Sequence, residues 1–160
     1  MAILNIVKVG DDLLRKKSRP VEKITPRILQ LLDDMRDTLH AADGCGLAAV
    51  QVGVLRRIVL VETEKGELLE MINPEIIASE GEQHNIEGCL SVPEKFGITK
   101  RPMTVTVRAM DRSGRIYEVT GSDLKARAFC HELDHLDGIL YIDHAKMLTK
   151  EELEELYDDE

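Results

Sequence analysis

A chain of 160 residues with 43% hydrophobic and 32% charged side chains has the size and balance of a single soluble domain spanning 1–160, large enough to bury a core. Its net charge of −9 argues against binding to phosphate backbones, and no sequence-specific nucleic-acid partner is expected. Three cysteines (Cys45, Cys89 and Cys130) do not look like a disulfide framework and fit a reducing compartment. The opening residues lack the basic-then-apolar order of a secretion signal and no run approaches ~18 apolar residues, so a cytoplasmic protein without membrane contact is expected.

In chain order, Asp11-Asp12-Leu13-Leu14 predicts a short helix, and the basic run Arg15-Lys16-Lys17 before Pro20 an extended, solvated stretch. Thr25-Pro26 is a strong helix start, a capping threonine followed by proline at the first helical position. Apolar Ile28, Leu31, Leu32, Met35, Leu39 and Ala42 then fall at helical spacing, and Asp43-Gly44 predicts the end, with glycine in the left-handed cap. The small residues of Gly44 to Val50 let a ligand or another segment approach the backbone, and Gln51 offers a neutral donor suited to polarising a carbonyl.

Residues 56–63 and 69–79 read as strands, the second interrupted at Asn73-Pro74, with a hairpin turn at Glu64-Lys65-Gly66. After a loop at 80–82, residues 85–93 suit a strand end or tight bend presenting the Cys89 thiolate. Strands resume at 104–110 and 115–119 around the turn Asp111-Arg112-Ser113-Gly114. Gly121-Ser122 opens a last long helix ending at Asp137-Gly138. Residues 149–160 hold seven acids against Lys150 alone and predict a short solvated helix held to the body by Leu153 and Leu156. Helix, many strands, then helix predicts an α+β domain.

The last long helix carries His131-Glu132-Leu133-Asp134-His135. At ~100° per residue, positions four apart share a face, so two imidazoles can reach one metal ion with a carboxylate beside them. His-Glu-x-x-His alone also occurs in core helices. Cys130 points ~100° away from His131 and is expected as a buried apolar residue; Asp134 is expected as a structural partner, to Arg101. His40, His84 and His144 have no partner pattern and default to surface or capping roles.

Taken together, GCGLAAVQ (44–51), EGCLS (87–91) and HELDH (131–135) resemble, in order, the three signature motifs of bacterial peptide deformylases, and the resemblance extends over nearly the whole chain. It implies antiparallel or mixed β-sheets around a central metal-binding helix, with an N-terminal helix and a short C-terminal one. It implies that Cys89, His131 and His135 bind one divalent metal and leave a fourth position for water. Fe(II) is favoured natively, with Zn(II), Ni(II) or Co(II) accepted by the same ligands and zinc the ion expected after aerobic handling. Water activated there would attack the formyl carbon of N-formyl-methionyl nascent peptides and release formate. Glu132 would serve as general base, then acid, while Gln51 and the backbone N–H of Leu90 stabilise the oxyanion. A transient ribosome contact near the exit tunnel follows from such a substrate.

For substrate binding, helical spacing before His131 places Leu124, Arg127 and Ala128 near a side-chain pocket, with Cys45 beside it. Backbone groups of Gly46 and of Glu87 and Gly88 would pair with an extended peptide. Two rival readings are a zinc endopeptidase, for which only His144 offers a downstream third ligand, and a non-catalytic, ribosome-associated metal protein.

Overall fold

The computed structural model describes residues 2–158. The first long helix, α1 (Pro26–Ala42), starts as its sequence dictates: the Thr25 hydroxyl accepts from the Ile28 N–H, and Pro26 occupies the first turn. Its end differs from expectation. Asp43, with φ 54°, takes the left-handed cap, and Gly44 is needed for space instead, because a β-carbon there would meet Leu90 and Leu39 at 3.0 and 3.1 Å.

Five strands form one antiparallel sheet in the order β1-β2-β3-β6-β7. They are β1 (Gly46–Ala48), β2 (Ile58–Val61), β3 (Leu69–Glu80), β6 (Thr104–Met110) and β7 (Ile116–Ser122). The second helix, α2 (Leu124–His135), packs against β1, β2, β6 and β7, whereas α1 covers the opposite face. Strand β2 therefore has a core on each side. Val59 and Val61 belong to the cluster containing Phe129 and Leu133, and Ile58 and Leu60 join Leu32, Met35 and Leu39. A strand covered on both faces reads as a continuous apolar run, which is what Ile58–Val61 is.

Strand β3 is not broken at Asn73-Pro74. Asn73 has a positive φ of 51°, the pairing with β6 shifts between Ile72 and Glu75, and the Asn73 amide both donates to and accepts from the Val21 backbone at 2.8 Å. The strand continues through a bulge at this point, with the Asn73 side chain tying it to the segment around Val21.

A second antiparallel sheet, in the order β4-β5-β8, comprises β4 (Gln83–Cys89), β5 (Val92–Arg101) and the short β8 (Lys146–Met147). The tight bend expected around Cys89 is the turn of the β4–β5 hairpin, where Cys89 faces Val92. Gly121 and Ser122, expected to open α2, lie in β7; the helix starts two residues later after Asp123, whose carbonyl accepts from Gln83 Nε2 at 2.9 Å. The last helix, α3 (Lys150–Asp158), is present, but Leu156 is exposed and does not hold it down; Leu153 is partly buried.

Candidate active site

Cys89 ends β4 at the hairpin turn, and His131 and His135 lie one turn apart on α2. One potential ligand atom from each lies within 4.8 Å of the other two, and Cys89 Sγ is 3.4 Å from His135 Nε2. The His131 ring is oriented from behind. Its Nδ1 lies 2.9 Å from Glu87 Oε1, so Nε2 is the nitrogen left for a ligand, and Tyr141 stacks on the ring at 5.8 Å.

Glu87 is the centre of that support. Both its oxygens are engaged by Arg101, at 2.9 and 3.0 Å, and the Thr99 hydroxyl also donates to it. Arg101 reaches on to Asp134 at 2.8 Å, the expected structural partnership. Burial opposes the Glu87 charge, but hydrogen bonds from His131 and Arg101 outweigh it and hold the carboxyl well below the usual range.

Glu132 is oriented the other way, into the cavity. Burial raises its carboxyl to about 7, and its Oε1 has no hydrogen-bond partner. An orphaned carboxylate oxygen beside one thiolate and two imidazoles suits a divalent ion carrying a water, so the residues present fit such a group. Strand β1 runs directly past this carboxylate at Gly46. Gln51 lies in the single helical turn Ala49–Val52 and is 1% exposed. Its Oε1 accepts from the Ala48 N–H at 2.9 Å, while Nε2 donates to Ser91 Oγ at 3.0 Å and faces Cys89 Sγ at 3.6 Å.

One cavity of about 660 Å³ collects these groups. Cys45, Gly46, Gln51, Glu87, Gly88, Cys89, Leu90, Leu124, Arg127, Ala128, His131 and Glu132 all line it; His135 sits behind, 1% exposed. The wall is apolar at Ile86, Leu90, Phe96 and Leu124, and Ala128 contributes a surface with little bulk. Strand β4 is the edge of its sheet and β1 the edge of the other, so backbone groups border the cavity from both. The Glu87 side chain is committed to His131, Thr99 and Arg101, which leaves its backbone for the expected peptide contact.

Sequence reasoning missed that role of Glu87, the wall residue Phe96, the stacking Tyr141, and Ile6 and Lys8, which also line the cavity. Gly88 carried a signal for Phe96: a β-carbon there would lie 2.8 Å from the ring. Cys130 is buried, which pushes its thiol up to about 11, and His40 and His84 pair at the surface with Glu62 and Glu82. His144 lies beside Asp134 at 3.8 Å and is not in the ligand trio, which removes the third ligand an endopeptidase reading needs.

Comparison with known proteins agrees with this geometry. The family model for polypeptide deformylase matches residues 3–151. The peptide deformylase of Caldanaerobacter subterraneus subsp. tengcongensis is 54% identical over 155 residues, covering 96% of this chain and 97% of that protein. That of Thermoanaerobacter pseudethanolicus is 52% identical over 157 residues, covering 98% of each. Among solved structures, a peptide deformylase from Legionella pneumophila superposes with a TM-score of 0.87 at 38% identity, covering 98% of this chain and 96% of that one. The class I type b peptide deformylase of Acinetobacter baumannii bound to Met-Ala-Ser gives 0.85 at 32% identity, covering 90% and 100%. Nothing in these matches supports an endopeptidase or a non-catalytic metal protein. With a Cys89–His131–His135 group that could hold a metal and these relatives over nearly its full length, the chain belongs to the polypeptide deformylase family of metal-dependent hydrolases.

Proposed function

We propose that the cavity hydrolyses the formyl group from N-formyl-methionyl nascent peptides and releases formate. The observation that carries this reading is the convergence of Glu132, Gln51 and the Cys89–His131–His135 trio on one cavity in a chain of this family. The trio would hold the metal, which when bound supplies Lewis acidity and a water that ionises near neutral pH.

The chain's own residues do the rest. Glu132 accepts the proton of the attacking water and returns it to the departing amine nitrogen. Gln51 Nε2 and the Leu90 N–H donate to the oxygen that gains charge at the formyl carbon, and one such donor lowers the barrier by roughly 3 kcal/mol. Leu124, Ala128 and the stem of Arg127 receive the methionine side chain, with Cys45 at the rim. Gly46 and the Glu87-Gly88 backbone, on the open edges of β1 and β4, pair with the extended peptide. The Acinetobacter relative solved bound to Met-Ala-Ser supports a methionyl peptide as the ligand class.

One soft thiolate and two imidazoles accept Fe(II), our choice for the native ion, and also Zn(II), Ni(II) or Co(II). The whole chain acts as one catalytic domain. Free cysteines and the absence, among the described residues, of any helix long and apolar enough to cross a membrane support a cytoplasmic site of action, with transient contact at the ribosome where such peptides emerge.

The test is formate release from formyl-Met-Ala by protein prepared without oxygen and loaded with Fe(II), beside Glu132→Gln. Turnover that requires metal and falls by about 10²-fold or more in the variant is expected. A filled metal site with no formate released overturns the reading.

A further inference from the structure

Gln51 and Leu90 both sit on short elements. Gln51 belongs to a single helical turn, and Leu90 occupies the turn of the β4–β5 hairpin, whose register already slips between Glu87 and Cys89. One turn of helix and a two-residue bend do not fix a side-chain amide or a backbone N–H by themselves. The tie comes from the N-terminal segment. The Val7 N–H donates to the Gln51 carbonyl at 2.7 Å, and the Val9 N–H donates to the Ser91 carbonyl at 2.8 Å. Between them Lys8 Nζ donates to the Leu90 carbonyl at 3.2 Å. The Gln51 side chain closes the circuit by donating to Ser91 Oγ at 3.0 Å. Upstream the segment is moored to α1, where the Leu4 N–H donates to Thr38 Oγ1 at 2.8 Å.

We propose that residues 6–9 form a clamp that positions the Gln51 amide and the Leu90 N–H as a pair, with Lys8 as its side-chain positioning residue. The inference rests on the reading of those two groups as oxyanion donors. Successive residues of an extended segment alternate in direction, so Val7 and Val9 offer their N–H groups on one side, one to each donor-bearing element. The alkyl stem of Lys8 follows the cavity wall, which Ile6 also lines, and its ammonium spans the gap between the two main-chain bonds. Oxyanion donors act by being in place before charge develops, so a clamp of this kind changes turnover more than substrate affinity.

The experiment compares wild type with Lys8→Met, Lys8→Arg and Val9→Pro in metal-loaded protein. Methionine keeps the stem and removes the donor; proline removes the N–H that reaches Ser91 while accepting extended backbone. Kinetics on formyl-Met-Ala are read together with amide signals of Gln51 and Leu90 in nuclear magnetic resonance spectra of the zinc-loaded protein. Lys8→Met is expected to lower kcat about tenfold with KM within about twofold, and Val9→Pro to lower it further. Lys8→Arg should restore most of the rate. The Gln51 side-chain and Leu90 backbone amide signals should shift and exchange faster with water in the two damaging variants. Wild-type kcat and unchanged amide signals in both would overturn the clamp, as would an equal loss in Lys8→Arg and Lys8→Met. If wild type itself releases no formate, the proposed function falls, and the amide signals still decide whether the clamp exists.

Discussion

Gly46 and Glu132 share one space. A β-carbon built on Gly46 would lie 2.5 Å from Glu132 Oε2 and 2.8 Å from its Cγ, closer than such atoms approach. Strand β1 can run this close to α2 only because its first residue has no side chain. Gly46→Ala should therefore move the carboxylate without touching any metal ligand. Formate release is expected to fall by about 10²-fold, with metal content and melting temperature close to wild type. An unchanged rate would mean the carboxylate has no fixed position to lose.

Arg101 neutralises a buried acid. With Arg101→Met, Glu87 keeps its burial and its bond to His131 but loses both guanidinium contacts. Removing one member of a buried ion pair leaves an uncompensated charge and costs about 3–5 kcal/mol. Denaturant unfolding should show that loss. Adding Glu87→Gln should recover part of it, because the stranded charge goes too. Metal affinity should fall by about 10–100-fold once Glu87→Gln is added, since the carboxylate that orients His131 is then gone.

Ala128 lines the cavity with little bulk. It is 5% exposed and lies on the α2 face one turn before His131. Ala128→Phe should fill the space proposed for the methionine side chain. The expected result is KM for formyl-Met-Ala raised about 10- to 100-fold, with metal content unchanged. Unaltered kinetics would place the methionine elsewhere.

Acid should uncouple the N-terminal turn from the loop after α2. Arg15 forms two hydrogen bonds with Asp143, at 2.6 and 2.9 Å, and Asp143 also accepts from the Leu140 N–H at 3.0 Å. The Arg15 contact holds the Asp143 carboxyl below its ordinary value. A lowered native pKa means that stability is present above the unfolded value of about 3.9 and is lost as pH falls through the native one. Because Arg15 is exposed and Asp143 partly so, the contribution is below about 1 kcal/mol. Asp143→Asn should lower the melting temperature slightly at pH 6, and the gap should close as the pH falls through the lowered native value. A gap that persists at the lower pH would point to the Leu140 bond instead.

The parts of the fold legible in the sequence were those written locally. Thr25-Pro26 and the apolar spacing after it place the start and buried face of α1, and the four-residue spacing of His131 and His135 puts both on one face of α2. What escaped depends on partners distant in sequence. Glu87 meets His131 across 44 positions, and nothing beside Glu87 announces that its side chain faces inward to Arg101. Strand β5 escaped because Pro93, Glu94 and Lys95 break the alternation, with Glu94 in a left-handed conformation at φ 64°. Asp43 took the cap expected of Gly44 because Gly44 was required for contact with Leu90. The extent of β7 was hidden because Gly121 reads as a breaker, yet it sits in the strand where a β-carbon would strike Lys125.

The proposed metal site draws its three groups from elements packed on different sheets. Cys89 comes from the small β4-β5-β8 sheet, while His131 and His135 ride on the helix packed against the large one. An ion bound there would act as a rivet between the β4–β5 hairpin and α2. Its binding energy would then count toward folding as well as chemistry. A cell short of metal would hold this enzyme in a form both idle and easier to unfold, so the supply of the ion would govern how long the protein survives.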